Sequence, residues 1–198
     1  DMPAVAVTDT NNMFGAMEFA VAAAKEGVQP IIGAQATIDD GHIALLATNE
    51  QGYRNLCRLI SDAHMEGDGS SDPAISLEAL QEFNAGLICL TGAHLGPIGQ
   101  RVLHGQLEEA EKYLLHLKSL FGDRLYIELQ RHGLEAEEKC EPFFIEMAYK
   151  HDIALVATNN CFFGKKTMHE AHDALLCIAG GRYINETDRR TETKEHYF

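Results

Sequence analysis

The sequence has no apolar run approaching the ~20 residues that span a bilayer, and no basic-then-apolar leader. A membrane-spanning helix is therefore not expected in these 198 residues. Basic charge is scarce: 16 Lys and Arg stand against 30 Asp and Glu, for a net charge of −14. Such a surface repels a phosphate backbone and gains nothing from counterion release, which excludes strong nucleic-acid binding by this stretch alone. Paired cysteines are missing too. Cys57, Cys89, Cys140, Cys161 and Cys177 are scattered, odd in number and never in a CxxC pair. A reducing, cytoplasmic setting fits them better than a disulfide framework, and Cys89 and Cys177, inside apolar runs, read as core packing. Neither GxGxxG after the first strand nor GxxxxGK[ST] occurs, so a dinucleotide fold and a P-loop lack their main signatures.

What is present is an alternation of β-branched runs and helical patterns. Strands are expected at 4–9, 30–38, 42–49, 86–92, 125–130 and 153–159. The turn Asp39-Asp40-Gly41 joins the second and third as a hairpin. Helices are expected near 14–26, 51–65, 76–83, 107–121, 136–151 and 166–179. The second carries Tyr53, Leu56, Cys57 and Ile60 at helical spacing, and the third opens on a capping Ser76. "EGDGSSDP" (66–73) reads as a long loop, and the tail after Gly180 as irregular. The alternation predicts an α/β domain with a largely parallel sheet. The chain opens at Asp1 on "MPAVAVTD", already strand-like, and so reads as starting inside a domain.

Polar residues gather where the apolar runs stop: Thr8-Asp9-Thr10, Gln35, Thr91, Glu128 with Gln130, and Thr158-Asn159-Asn160. Barrels of alternating strands and helices place their active sites at that rim. Yet neither asparagine of "ALVATNNCFF" can ionise, and so neither can be a strong metal ligand or a general base.

"TDTNNMFGA", "PIIGAQATI", "NEQGYRNLCRLIS", "GLICLTG", "IELQRHGLEAEE", "ATNNCFF" and "AHDALLCIAGG", in this order, resemble the PHP (polymerase and histidinol phosphatase) domain of bacterial DNA polymerase III alpha subunits. The resemblance covers nearly the whole chain, so residues 1–198 are expected to be one PHP domain. It implies a distorted seven-stranded β/α barrel, missing here its first strand, which carries an HxH motif in the family, together with the downstream polymerase modules. It also implies a metal cluster at the rim of active members. Asp9, Glu128 and His132 match that ligand pattern. Thr10 stands where metal-binding members have histidine, Gln35 where they have glutamate, Asn160 in place of an acid and Phe162 in place of a histidine.

Neutral carbonyl oxygens bind transition metals weakly, and a two-metal hydrolytic site needs several carboxylates and imidazoles. The expectation is thus no catalytic residue and no metal, with Asp9, Thr10, Gln35, Glu128, His132, Asn160 and Phe162 as a vestigial site. Other readings stay open. Asp9 could cap the following helix or make a turn, and Glu128 and His132 could be a hydrogen-bonded pair or hold a single metal. His169 and His172 share a helix face without an acid between them, which is no HExxH motif. Cys161 could be a nucleophile only beside a base.

The resemblance further implies a non-catalytic scaffold within a DNA-directed DNA polymerase. That parent would use Mg and bind DNA, and would dock a proofreading exonuclease subunit and other replicase subunits in the cytoplasm. The alternative is a metal-dependent phosphoesterase, pyrophosphatase or 3′–5′ exonuclease of the same family.

Overall fold

A computed structural model describes residues 2–66 and 73–198. Most of the expected loop at 66–73 lies outside the described residues. Six strands line up in chain order: β1 (Ala4–Val7), β2 (Gln29–Ile38), β3 (Gly41–Ala47), β4 (Leu87–Leu90), β5 (Leu125–Leu129) and β6 (Ala154–Ala157). Among the described residues seven α-helices accompany them: α1 (Ala16–Lys25), α2 (Glu50–Glu66), α3 (Leu77–Phe83), α4 (Pro97–Leu103), α5 (Leu107–Phe121), α6 (Glu135–His151) and α7 (His169–Gly180). The fold is α/β, a curled sheet left open between β1 and β6. Six strands are present among the described residues, the number expected of a seven-stranded barrel without its first strand.

Local chemistry explains most boundaries. Gly27 ends α1 at φ +71°, a conformation that costs glycine least. Ser76 caps α3 through its hydroxyl, which accepts from the Ala79 N–H at 3.1 Å. Along α5 the buried residues are Ala110, Tyr113, Leu114, Leu117 and Phe121, the single stripe of an amphipathic helix. On α2 the buried stripe is Gly52, Asn55, Leu56, Leu59, Ile60 and Ala63, so Tyr53, assigned to that face from the sequence, points outward. Helix α4, a seven-residue element not anticipated from the sequence, starts on Pro97, whose fixed φ suits a first helical position.

The sheet is less parallel than the alternation predicts. β1–β2, β4–β5 and β5–β6 are parallel, but β3 is antiparallel to both β2 and β4. The two-residue turn Asp39-Asp40 leaves no room for a crossover, so β3 must reverse. β2 serves two neighbours in succession: Gln29–Ile32 pairs with β1 and Gly33–Ile38 with β3. The switch falls on Gly33, where a Cβ would lie 2.6 Å from the Leu45 carbonyl oxygen.

The main core joins Ile38, Ile43, Leu45, Leu87, Leu125 and Ile127 of the strands to Leu56, Leu59, Leu114, Leu117, Phe144 and Met147 of the helices. Cys89 and Cys140 are buried in it, and Cys177 is buried elsewhere. Among the described residues, β1, α1, β6 and α7 place nothing in this cluster. Ala16 alone is buried on α1 and Cys177 alone on α7. Both ends of the open sheet are thus thinly packed, while its middle is dense. No helix is long and apolar enough to cross a membrane among the described residues.

Candidate functional site

Strand ends carry two separate hydrogen-bonded groups. The first lies where β1 runs into the loop before α1. Thr10 donates its hydroxyl to the Gln35 side-chain oxygen at 2.9 Å, and a parallel bridge joins the same two residues. Asn11, in the left-handed region at φ 55°, accepts from the Thr37 N–H and donates to the Thr37 hydroxyl, both at 2.8 Å. Its amide takes the place of one more backbone pair along β2. Asp9 contributes its carbonyl, which accepts from the Gln35 N–H at 3.1 Å. The capping role suggested for the Asp9 carboxylate is not observed: the N-cap of α1 is Gly15, with no side-chain cap among the described residues.

The second group gathers the ends of β4, β5 and β6 with the turn before α6 and the tail. Glu128 is 5% exposed. One of its oxygens accepts the Gly92 N–H at 3.0 Å, and the other accepts the Gln130 amide at 3.1 Å and the Thr158 hydroxyl. All three donors are neutral, so the carboxylate is satisfied without a cation.

His132 is 2% exposed. Its Nδ1 lies 2.7 Å from Glu137 Oε1, and its Nε2 lies 2.6 Å from Asn159 Oδ1. The suggested Glu128–His132 pair is therefore replaced: the acid beside His132 is Glu137. Glu137 sits in the first turn of α6, where its other oxygen also accepts the backbone N–H groups of His132 (2.7 Å) and Leu134 (3.1 Å). Burial opposes its ionisation. The hydrogen bonds from the His132 ring and from those two N–H groups outweigh it and hold the carboxyl below its ordinary range.

Three further residues complete this group. Asn159 donates its amide to the Tyr197 carbonyl at 2.6 Å, which orients its oxygen toward His132. The His196 ring stacks on His132 with centroids 3.9 Å apart and planes 6° apart. His94, on the turn after β4, is buried with Nδ1 unpartnered among the described residues and 4.0 Å from Glu137. Burial is the main cause that holds both His94 and His196 below the usual histidine range. Glu137, His94 and His196 were not singled out from the sequence. The one local signal was an acid in the first turn of the helix that follows "QRHGL".

The remaining positions make packing and hydrogen-bond contacts. Asn160 brings its N–H within 3.4 Å of His132 Nε2, the longest contact to that ring. Phe162 stacks on His172 (5.6 Å), leans on His196 (5.3 Å) and lies under the Arg190 guanidinium (5.6 Å). His169 pairs with the Glu192 carbonyl at 2.8 Å and meets Phe163 edge-on. Cys161 faces the carbonyls of Asn159 and Tyr197, neither of them a base, and burial pushes its thiol up.

These residues do not fit a metal cluster. Both nitrogens of the His132 ring are engaged within the chain, at Glu137 Oε1 (2.7 Å) and Asn159 Oδ1 (2.6 Å), so neither faces an open position. Gln35 and Asn160 offer neutral oxygens or none, and Phe162 offers no ligand. Among the described residues no group of three or more His, Cys, Asp or Glu is arranged to hold a metal ion.

Comparison with known proteins follows the same lines. The family model for the PHP domain matches residues 1–132. Along its whole length the chain is 40% identical to the DNA polymerase III subunit alpha of Caulobacter vibrioides, covering 18% of that protein. It is 41% identical to the Rickettsia bellii subunit, again over the whole chain and 17% of the relative. Identity to the Thermus aquaticus subunit is 38%, over 94% of this chain and 17% of the relative. The chain thus spans about a sixth of the length of these curated relatives. Among solved structures, an amidohydrolase from Chromobacterium violaceum with bound SO4 and no metal shares the fold. Its TM-score is 0.51 at 15% identity, covering 79% of this chain and 76% of the other. The open α/β sheet, the rim at its strand ends and the matched residues agree: this chain belongs to the PHP domain family.

Proposed function

We propose that the chain is the PHP module of a longer replicative DNA polymerase, a DNA polymerase III alpha subunit. In this reading it is a non-catalytic scaffold that stabilises the polymerase and docks the proofreading exonuclease subunit. The double engagement of His132, between Glu137 and Asn159, carries the non-catalytic part. With both nitrogens engaged inside the chain, the imidazole presents none to a metal unless those contacts open. Polymerisation, with its Mg and DNA, then belongs to modules outside this chain, in the cytoplasm. The full-length similarity to alpha subunits, over about a sixth of their length, supports that assignment by family analogy.

Docking needs surface, and two helices offer it. Phe14 and Met17, at and before the start of α1, are 90% and 75% exposed, and Ile178 on α7 is 77% exposed beside Leu175. Exposed apolar residues that join into one patch mark interaction sites. The test is binding of the full-length alpha subunit to the proofreading exonuclease subunit by calorimetry, with Phe14→Glu/Met17→Glu and Leu175→Glu/Ile178→Glu variants. Weakened binding by one pair, with polymerase activity retained, is expected. Unchanged affinity after deletion of the whole PHP module would refute the docking role.

A further inference from the structure

Residues 189–198 turn back over the rim. Arg189 fixes the preceding turn to α7 through Asp173 (2.9 Å) and the Ile184 carbonyl (3.1 Å). Beyond it, residues 193–198 cross the ends of β5 and β6. The Thr193 hydroxyl donates to the His132 carbonyl at 3.0 Å. The Phe162 N–H donates to the His196 carbonyl at 3.0 Å, and the Phe198 N–H donates to the Phe163 carbonyl at 3.1 Å. Outside, Lys166 pairs with Glu195 and lies 5.7 Å over the Tyr197 ring.

The segment leaves Phe198 62% exposed. What it buries is an imidazole, His196, at 3% exposure and face to face with His132. Its other attachments are hydrogen bonds and one ion pair, which water can replace, and a single bridge between Phe163 and Tyr197. Beside it lies a cleft of about 550 Å³, in which Leu129, Ala157 and Thr158 face Glu195, Tyr197 and Phe198. One wall of that cleft is therefore the segment itself.

We propose that residues 193–198 form a strap that plugs the rim with the His196 ring. Lifting the strap joins the cleft to the His132 pocket and opens it to solvent. The strap thereby controls whether the His132–Glu137 pair can meet any molecule at all. His196 stands where a ligand's flat, partly polar group would otherwise lie against His132.

Carbethoxylation with diethyl pyrocarbonate, read residue by residue by mass spectrometry, tests this directly, with the exposed His116 as internal reference. In the wild-type chain His132 should label far more slowly than His116. In His196→Ala it should label at least tenfold faster than in wild type. The Phe162 and Phe198 amides should also exchange faster, while the amides pairing β5 with β6 keep their protection. Unchanged labelling of His132 in a folded His196→Ala chain overturns the strap. If that variant fails to fold by circular dichroism, Lys166→Ala loosens the strap from outside without touching the pocket. A rise in His132 labelling there supports the strap, and no rise overturns it.

Discussion

His132 and His196 stack face to face, ring centroids 3.9 Å apart and planes within 6°. One ring stands just beyond β5, and the other arrives from the irregular tail. The pair is part of a closed set in which Glu137 and Asn159 occupy both nitrogens of His132. A rim whose family resemblance implies metal chemistry is instead filled by the chain's own hydrogen bonds and aromatic contacts.

Glu128 should behave as a structural residue. Its carboxylate accepts from Gly92, Gln130 and Thr158, so Glu128→Gln turns an NH2 group toward groups that donate. A buried donor left without an acceptor costs about 1–3 kcal/mol. Urea unfolding should show a loss of that size, and a loss below ~0.5 kcal/mol would show that the network is not as tight as its distances imply.

Acid should destabilise the fold before its carboxylates titrate. His94 and His196 are held below the ordinary histidine value of 6.5, so the unfolded chain takes up protons first as pH falls. Their contribution is complete above about pH 6.5 and is lost as pH falls through their folded values. Glu137, held below its ordinary 4.5, adds a further loss of the same sign at lower pH. Melting temperature should therefore drop between pH 7.5 and 5.5, and less steeply in His94→Leu. An identical slope in that variant would exclude His94 as a source.

Restoring the rim should restore metal binding before catalysis. Thr10→His, Gln35→Glu, Asn160→Asp and Phe162→His return two acids and two imidazoles, at the cost of crowding like charges. His132 remains tied by Asn159, so adding Asn159→Ala should raise metal content further. Hydrolysis of a phosphodiester should stay weak, because outer groups that orient each ligand are not in place. Elemental analysis of the four-fold and five-fold variants decides the matter, and no metal in either refutes the vestigial-site account.

The open sheet should accept one more strand. β1 and β6 run in the same direction, and the apolar side chains of β6 are mostly exposed. Edges left in this state attract further pairing. A chain extended before Asp1 by about 30 residues of its natural sequence, one strand–helix unit, should melt higher and self-associate less. Equal melting temperatures and equal sedimentation would count against a barrel that closes in this way. The same extension tests whether Asp9 and Gln35 then share one cleft with Glu128, His132 and Asn160.

Elements set by neighbouring residues were legible in the sequence. The α5 stripe predicts 107–121, the observed span, because helical spacing is a property of fifteen consecutive residues. The hairpin at Asp39-Asp40-Gly41 and the cap at Ser76 follow from turn and cap chemistry acting over two to four positions. Helix α4 was hidden because seven residues are too few to show a helical period, and the antiparallel pairing of β3 with β4 because alternation says nothing about strand direction.

The residue types at the rim were equally legible: amides and a phenylalanine where the family pattern has ligands could only weaken a metal site. Which side chains meet was not. Glu137, Asn159 and His196 converge on His132 from a helix start, a strand end and an irregular tail. No spacing rule links those three segments, since their proximity depends on how the whole sheet curls and where the tail is tied down. Composition and local pattern thus determined which ligand types this rim lacks. Tertiary packing alone decided what fills it, because contacts between distant segments are set by the burial of the entire core and not by any stretch within it.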